Sequence, residues 1–289
     1  MFRNAVWLSK RASAVTHSTQ FRTPGWPKDS LRLRRQKPDH SGILLSLSDY
    51  QTVAVTGASS GIGAAVAHEL SRRGLKVHAI ARREDRLAQQ SGVEIHVLDI
   101  RETEALAVLL GSLQVDILVN NAGVGRGFGS LVDADPIDID CTLDTNVRAA
   151  VHAVRAVLPS MIERGTGHIV NVGSMAGLYP LSSAVYGASK GALHVLSMDL
   201  RLELQGTGVR VTEICPGRVR TEFYDAALDH PKERQRAKDS GIEELTSEDI
   251  AASVIYALDA PWRVNVNRIE LQPTEQTYGG LQFTPRESR

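Results

Sequence analysis

Cysteine is scarce in this 289-residue chain: Cys141 and Cys215 lie far apart and fit no metal-ligand spacing. That excludes a disulfide framework and a thiolate zinc site, and it fits a reducing compartment. The nine histidines form no HxxxH or HExxH pair, so no metal is expected. Net charge is lacking too. With 33 basic and 33 acidic residues, nothing global favours nucleic acid or an anionic membrane as a partner. No apolar run reaches the roughly 18 residues that a membrane-spanning helix needs.

The charge cancels only on average. Residues 1–41 carry nine Lys/Arg against Asp29 and Asp39, which leaves the rest of the chain mildly acidic. This leader has Pro24, Pro27 and Pro38, no sustained apolar periodicity, and no apolar centre of a secretory signal. Residues 1–49 are expected to form a basic, disordered leader, either a transit peptide or a start misassigned upstream. Residues 50–289 are expected to form one dinucleotide-binding and catalytic domain with a C-terminal tail. A cytoplasmic location follows, unless the leader directs import into an organelle.

From Gln51 onward, apolar runs alternate with helical patterns. The runs are TVAVTG, KVHAIA, VEIHVLDI, VDILVNNAG, GHIVNVGS, VRVTEICPG and VNVNRIEL. Between them lie segments with apolar residues at helical spacing, the longest over about 136–164 and 184–205. Strands apolar along their whole length are buried on both faces. The pattern predicts an α/β fold: a single doubly wound Rossmann-type domain, with a parallel sheet of about seven strands and helices on both faces.

The first strand runs into TGASSGIG, which contains Gly57, Ser59, Ser60, Gly61, Ile62 and Gly63. Glycines between a strand and a helix permit a tight turn and close approach of a pyrophosphate to the helix N-terminus. At the end of the second strand, where a carboxylate would bind a ribose 2′-hydroxyl, the chain reads IARRE. A carboxylate would repel a 2′-phosphate, whereas the guanidinium of Arg82 or Arg83 can grip one. The expected cofactor is NADP(H).

Tyr186 and Lys190, in AVYGASKGAL, share one helical face. A tyrosine with its usual pKa near 10 needs about 4 kcal/mol to act as a base at neutral pH. An ammonium about 4 Å away, at an effective dielectric near 20, supplies ~4 kcal/mol. Ser174 follows the fifth strand in NVGSMAG, where such sheets bind ligands. Asn120–Gly123, NNAG, ends the fourth strand, and Asn146 lies in the helix after it.

With TGASSGIG, NNAG, Asn146, Ser174, YGASK and Pro216–Gly217 in this order, the chain resembles the short-chain dehydrogenases/reductases over about residues 51–271. The resemblance implies roles. Tyr186 would be the catalytic acid/base, and Lys190 would lower its pKa and hold the nicotinamide ribose. Ser174 would polarise the carbonyl, and Asn146 would hold a water in a proton relay. Asp99 would face the adenine, and Asn121, Ala122 and Gly123 would line the cofactor's path. Val219 and Thr221 would meet the nicotinamide end. Family members are usually homodimers or homotetramers.

The tail VNVNRIELQPTEQTYGGL is similar to that of NADP-dependent 3-hydroxy acid (serine-type) dehydrogenases. It implies a small-molecule alcohol or carbonyl substrate, with an anionic one expected: a small hydroxy acid or the matching aldehyde or ketone. The alternatives are a sulfoacetaldehyde reductase, a broad carbonyl reductase, or a non-enzymatic cofactor sensor on the same fold. Arg126, Arg218 and Arg220, on loops at the substrate side, are the candidates to bind an acid group. Arg148 is a further one.

Overall fold

A computed structural model of the chain describes residues 47–127, 130–180, 183–280 and 282–285. Most of the expected leader, residues 1–46, lies outside these. Its last three residues, Leu47–Asp49, form a 3₁₀ turn that belongs to the domain. Leu47 is buried in the core, and its backbone N–H donates to Asp259 Oδ1 at 3.1 Å. The domain therefore reaches back past residue 50.

The elements in chain order are β1 (Thr52–Thr56), α1 (Gly61–Arg72), β2 (Lys76–Ala81), α2 (Glu84–Leu87), β3 (Val93–Val97), α3 (Thr103–Leu113) and β4 (Ile117–Asn120). Then come α4 (Pro136–Leu143), a π turn (Asp144–Arg148), α5 (Ala149–Arg164), β5 (Gly167–Val172), a 3₁₀ turn (Met175–Gly177) and α6 (Ala184–Glu203). Last are β6 (Val209–Pro216), α7 (Phe223–Ala227), α8 (Pro231–Lys238), α9 (Ser247–Leu258) and β7 (Arg268–Leu271). All seven strands pair in parallel, in the order β3-β2-β1-β4-β5-β6-β7. The order reverses between β1 and β4, which opens a crevice at the strands' C-terminal ends, where doubly wound sheets bind ligands.

Side chains alternate between the sheet's two faces, and each face has its own core. Val53, Val55, Val77 and Val119 pack with Val66, Leu70, Ile250 and Val254 of α1 and α9. Ala54, Ile80, Leu118 and Ile169 pack with Leu106, Val154, Val157 and Leu200 of α3, α5 and α6. Strand β5 is buried along its whole length, as its apolar run predicts. Strand β3 differs. It is the sheet's edge, and Glu94, Ile95 and Val97 are exposed. Among the described residues no helix is long and apolar enough to cross a membrane.

Candidate active site

The crevice holds a cavity of about 540 Å³, within the usual range for small-molecule sites. Every residue expected at the cofactor lines it except Gly63, and Ser174 lines it too. Gly63 acts beneath the surface. A Cβ there would strike the side chain of Asn121 and the carbonyl of Gly57, so α1 can approach the β4 end only with glycine at this position. Gly57 and Gly61 have φ of +66° and +52°, which the turn demands and glycine tolerates. Asn121 fastens the two strand ends together: its Nδ2 donates to the Thr56 carbonyl at 2.8 Å. The turn thus has open backbone N–H groups, a helix N-terminus and room above it, which fits a dinucleotide's phosphates.

At the adenosine end Arg83 is already oriented. Its Nε and Nη2 donate to Ser59 Oγ and Ser60 Oγ at 3.2 and 2.5 Å. Its Nη1 donates to Glu222 Oε2 at 3.0 Å, and Arg86 Nη1 donates to Glu222 Oε1 at 2.7 Å. The two arginines hold the Glu222 carboxyl below the usual carboxylate range, Arg86 having the larger effect. Arg82 is exposed and lies 3.7 Å from Asp99. Asp99 is gripped chiefly by Arg101, at 2.6 Å, which lowers its pKa while the residue stays in the cavity wall. Two guanidinium groups and two serine hydroxyls meet at this rim and fit a phosphate ester. Two carboxylates, Asp99 and Glu222, also line this end of the cavity, and each is paired with arginines.

At the opposite end Tyr186, Lys190 and Ser174 come together. Ser174 caps the 3₁₀ turn, accepting from Ala176 N–H at 3.1 Å. Its hydroxyl also bonds to Tyr186 and draws the phenol's pKa down. Burial is the larger influence and pushes the Tyr186 pKa up to about 12. Lys190, almost fully buried, is itself pushed down by burial to about 8. Its Nζ donates to the Val172 carbonyl at 2.8 Å and stands 5.9 Å from the centre of the Tyr186 ring. The sequence argument that one ammonium suffices to make Tyr186 a base at neutral pH is corrected here. The Lys190 ammonium keeps its charge while it donates to the Val172 carbonyl, and burial is the larger influence on the phenol. Among the protein's own groups, burial favours the protonated phenol.

Asn146 sits in the π turn, where Ala149 N–H bonds back five residues to the Asp144 carbonyl. That slip, often found at functional sites, turns the residue inward. Asn146 is fully buried, and its amide clasps Val124 through N–H and C=O, both at 2.8 Å. Its Nδ2 also donates to Ser189 Oγ at 2.9 Å, and Ser189 Oγ donates to the Tyr186 carbonyl at 2.7 Å. Asn146 itself does not line the cavity and acts beneath its wall.

The substrate arginines are dispersed. Arg126 does not line the cavity and is saturated by Asp138 at 2.8 Å and Asp229 at 2.7 Å. Arg220 is exposed and lines an adjoining surface hollow, outside the cavity wall. Arg148, also exposed, pairs with Asp144 at 3.4 Å. Only Arg218 of the four is in the cavity wall, stacked between the rings of Tyr224 and Phe283 and paired with Glu244. Acidic residues on neighbouring loops pair with Arg126, Arg148 and Arg218.

Sequence reasoning passed over three residues here. Glu222 ties the loop after β6 to the adenosine end, Phe223 sets its ring 5.2 Å from that of Tyr186, and Ser189 braces Asn146. The stretch RTEF carries no periodicity that would have singled out Glu222 or Phe223.

Gly177 sets the spacing between the turn that holds Ser174 and helix α6. A Cβ there would come within 2.6 Å of the Lys190 carbonyl carbon and oxygen. Gly177→Ala is expected to cost about 1–3 kcal/mol of stability and to lower kcat, because Ser174 moves away from Tyr186. Thermal unfolding and steady-state rates check both.

The short chain dehydrogenase family model matches residues 51–232, and the chain belongs to that family of oxidoreductases. More particular likenesses follow. NADP-dependent 3-hydroxy acid dehydrogenase YdfG of Escherichia coli is 38% identical over 241 residues, 79% of this chain and 97% of that protein. Sulfoacetaldehyde reductase 2 of Chromohalobacter salexigens is 39% identical over 243 residues, 79% of this chain and 96% of the relative. A solved closed form of serine dehydrogenase complexed with NADP+ superposes with a TM-score of 0.76 at 37% identity, covering 82% of this chain and all of that one.

Proposed function

We propose that this chain is an NADP(H)-dependent oxidoreductase acting on a small hydroxy acid or the matching aldehyde or ketone, with Tyr186 as acid/base. The observation that carries the reading is one cavity with two furnished ends: Arg83, Ser59 and Ser60 at one, and Tyr186, Ser174 and Lys190 at the other. When bound, the nicotinamide supplies or accepts the hydride. In the reductive direction the Ser174 and Tyr186 hydroxyls bind the carbonyl oxygen, and Tyr186 gives it a proton. Lys190 keeps positive charge beside the phenolate that forms. Asn146 positions Val124 and Ser189 from beneath the cavity wall. Apolar residues exposed on α5 and α6 (Val151, Val195, Met198 and Leu202) support a homodimer or homotetramer.

The substrate class rests on the acids and the sulfonate named for the relatives; Arg218, the one candidate in the cavity wall, is already paired with Glu244 and would have to meet the acid group beside that pairing. A second reading, a broad carbonyl reductase, is favoured by the wall of Met175, Phe223, Tyr224 and Phe283. Reduction of malonate semialdehyde, sulfoacetaldehyde and a bulky neutral ketone separates the two. The proposal expects an acidic aldehyde to lead in kcat/KM by about tenfold or more, one unpaired charged contact. It also expects Arg218→Gln to erase that lead while sparing the ketone. A ketone that leads, or an equal loss on all three substrates, supports the second reading.

A further inference from the structure

The sequence has no metal-ligand spacing, yet the sheet assembles one across two strands. In the β2–β3 register His78 stands opposite Glu94, and Ile80 opposite His96. Glu94 and His96 are two residues apart on β3, so they share the face that His78 occupies on β2. His78 Nδ1 lies 2.9 Å from His96 Nε2 and 3.2 Å from Glu94 Oε2, and the three donor atoms all lie within 4.8 Å of one another. We propose that His78, Glu94 and His96 form a site for one borderline divalent transition-metal ion of the zinc class, on the outer edge of the sheet.

The geometry is close to what such an ion needs. Ligands about 2.0–2.1 Å from a tetrahedral ion stand about 3.3 Å from each other. The two separations from His78 Nδ1, 2.9 and 3.2 Å, fall short of that by only a few tenths of an ångström, and the third pair lies within 4.8 Å. A shared hydrogen now joins the two imidazoles, and an ion would replace it. The ligands project from paired strands, a rigid frame that limits the ordering cost of binding. Two imidazole nitrogens and one carboxylate select zinc-like ions over magnesium or calcium. Burial holds both histidines below their ordinary pKa, which favours the neutral, ligating form. Lys76 Nζ grips the other carboxylate oxygen, Oε1, at 3.0 Å, leaving Oε2 turned to His78. Its charge opposes the ion, so the affinity expected is micromolar. Because Glu94 is exposed, the fourth position faces solvent. A bound ion would cross-link the edge strand to β2 just below Arg82, Arg83 and Asp99. It needs no part in the proposed hydride chemistry.

Isothermal titration of the chelator-treated full chain with zinc chloride tests this. One equivalent is expected to bind with micromolar Kd, unaffected by excess magnesium, and to raise Tm. Cobalt(II) is expected to give the visible absorption of a tetrahedral site. His96→Ala and the exposed Glu94→Gln are each expected to weaken zinc binding by about tenfold or more. His78 is left alone because it is buried and its loss would disturb folding. Absence of a saturable equivalent in the wild-type chain overturns the site. So does zinc binding and Tm gain unchanged in both variants, which would place the ion at other histidines.

Discussion

Tyr186→Phe is expected to lower kcat for carbonyl reduction by about 10²–10⁴-fold, the usual worth of a positioned proton donor. Affinity for NADPH should stay nearly unchanged. The phenylalanine keeps the ring beside Phe223 and loses only the hydroxyl that meets Ser174. The direction of the pKa shift adds a pH signature. Burial pushes the phenol up to about 12, so at neutral pH it holds the proton that reduction requires. Oxidation of the alcohol requires the phenolate, so the oxidative rate should climb with pH while the reductive rate does not. Steady-state rates in both directions, with a fluorescence titration of NADPH, check these outcomes. A variant that keeps its kcat but loses NADPH affinity would make Tyr186 a cofactor contact and no more.

The second large effect falls on Arg83. Arg83→Ala is expected to reduce kcat/KM with NADPH by about 10–100-fold, the loss of one or two charge-assisted hydrogen bonds. Rates with NADH should be nearly unaffected, because that cofactor has no 2′-phosphate. Arg82→Ala should cost less. Arg82 is exposed, and its nearest carboxylate, Asp99, is already held by Arg101. The Arg83 variant should also fold normally, since Glu222 retains Arg86 at 2.7 Å. Initial rates with the two cofactors, for the wild type and both variants, give the comparison.

The sequence made the fold class legible, and with it the local motifs. KVHAIA is β2 residue for residue, because a short, mostly apolar stretch soon after Gly74 and directly before two arginines reads as a strand. TGASSGIG was legible because its glycines answer to backbone constraints. Tyr186 and Lys190 were legible as a pair because four residues make one helical turn, and α6 begins at Ala184. The electrostatic outcome was not legible, since the burial that raises one pKa and lowers the other comes from the whole cavity. Nor was the direction of the arginines. Arg126 finds Asp229 far along the chain, and Arg83 finds Glu222 across the crevice, pairings that no spacing rule contains. The π turn inside the predicted 136–164 helix keeps the apolar periodicity on both sides and leaves no mark in composition. VEIHVLDI read as a buried strand because of its apolar residues. Only the sheet order makes β3 an edge and brings His96 to His78.

The most direct test of the account is the initial rate of reduction of a small acidic aldehyde by NADPH and by NADH, followed at the nicotinamide absorbance. The account predicts that NADPH is preferred by about tenfold or more in kcat/KM, the worth of a guanidinium on the 2′-phosphate. Equal rates with the two cofactors, or faster turnover with NADH, would contradict it, because Arg83, Ser59 and Ser60 would then hold nothing that distinguishes them.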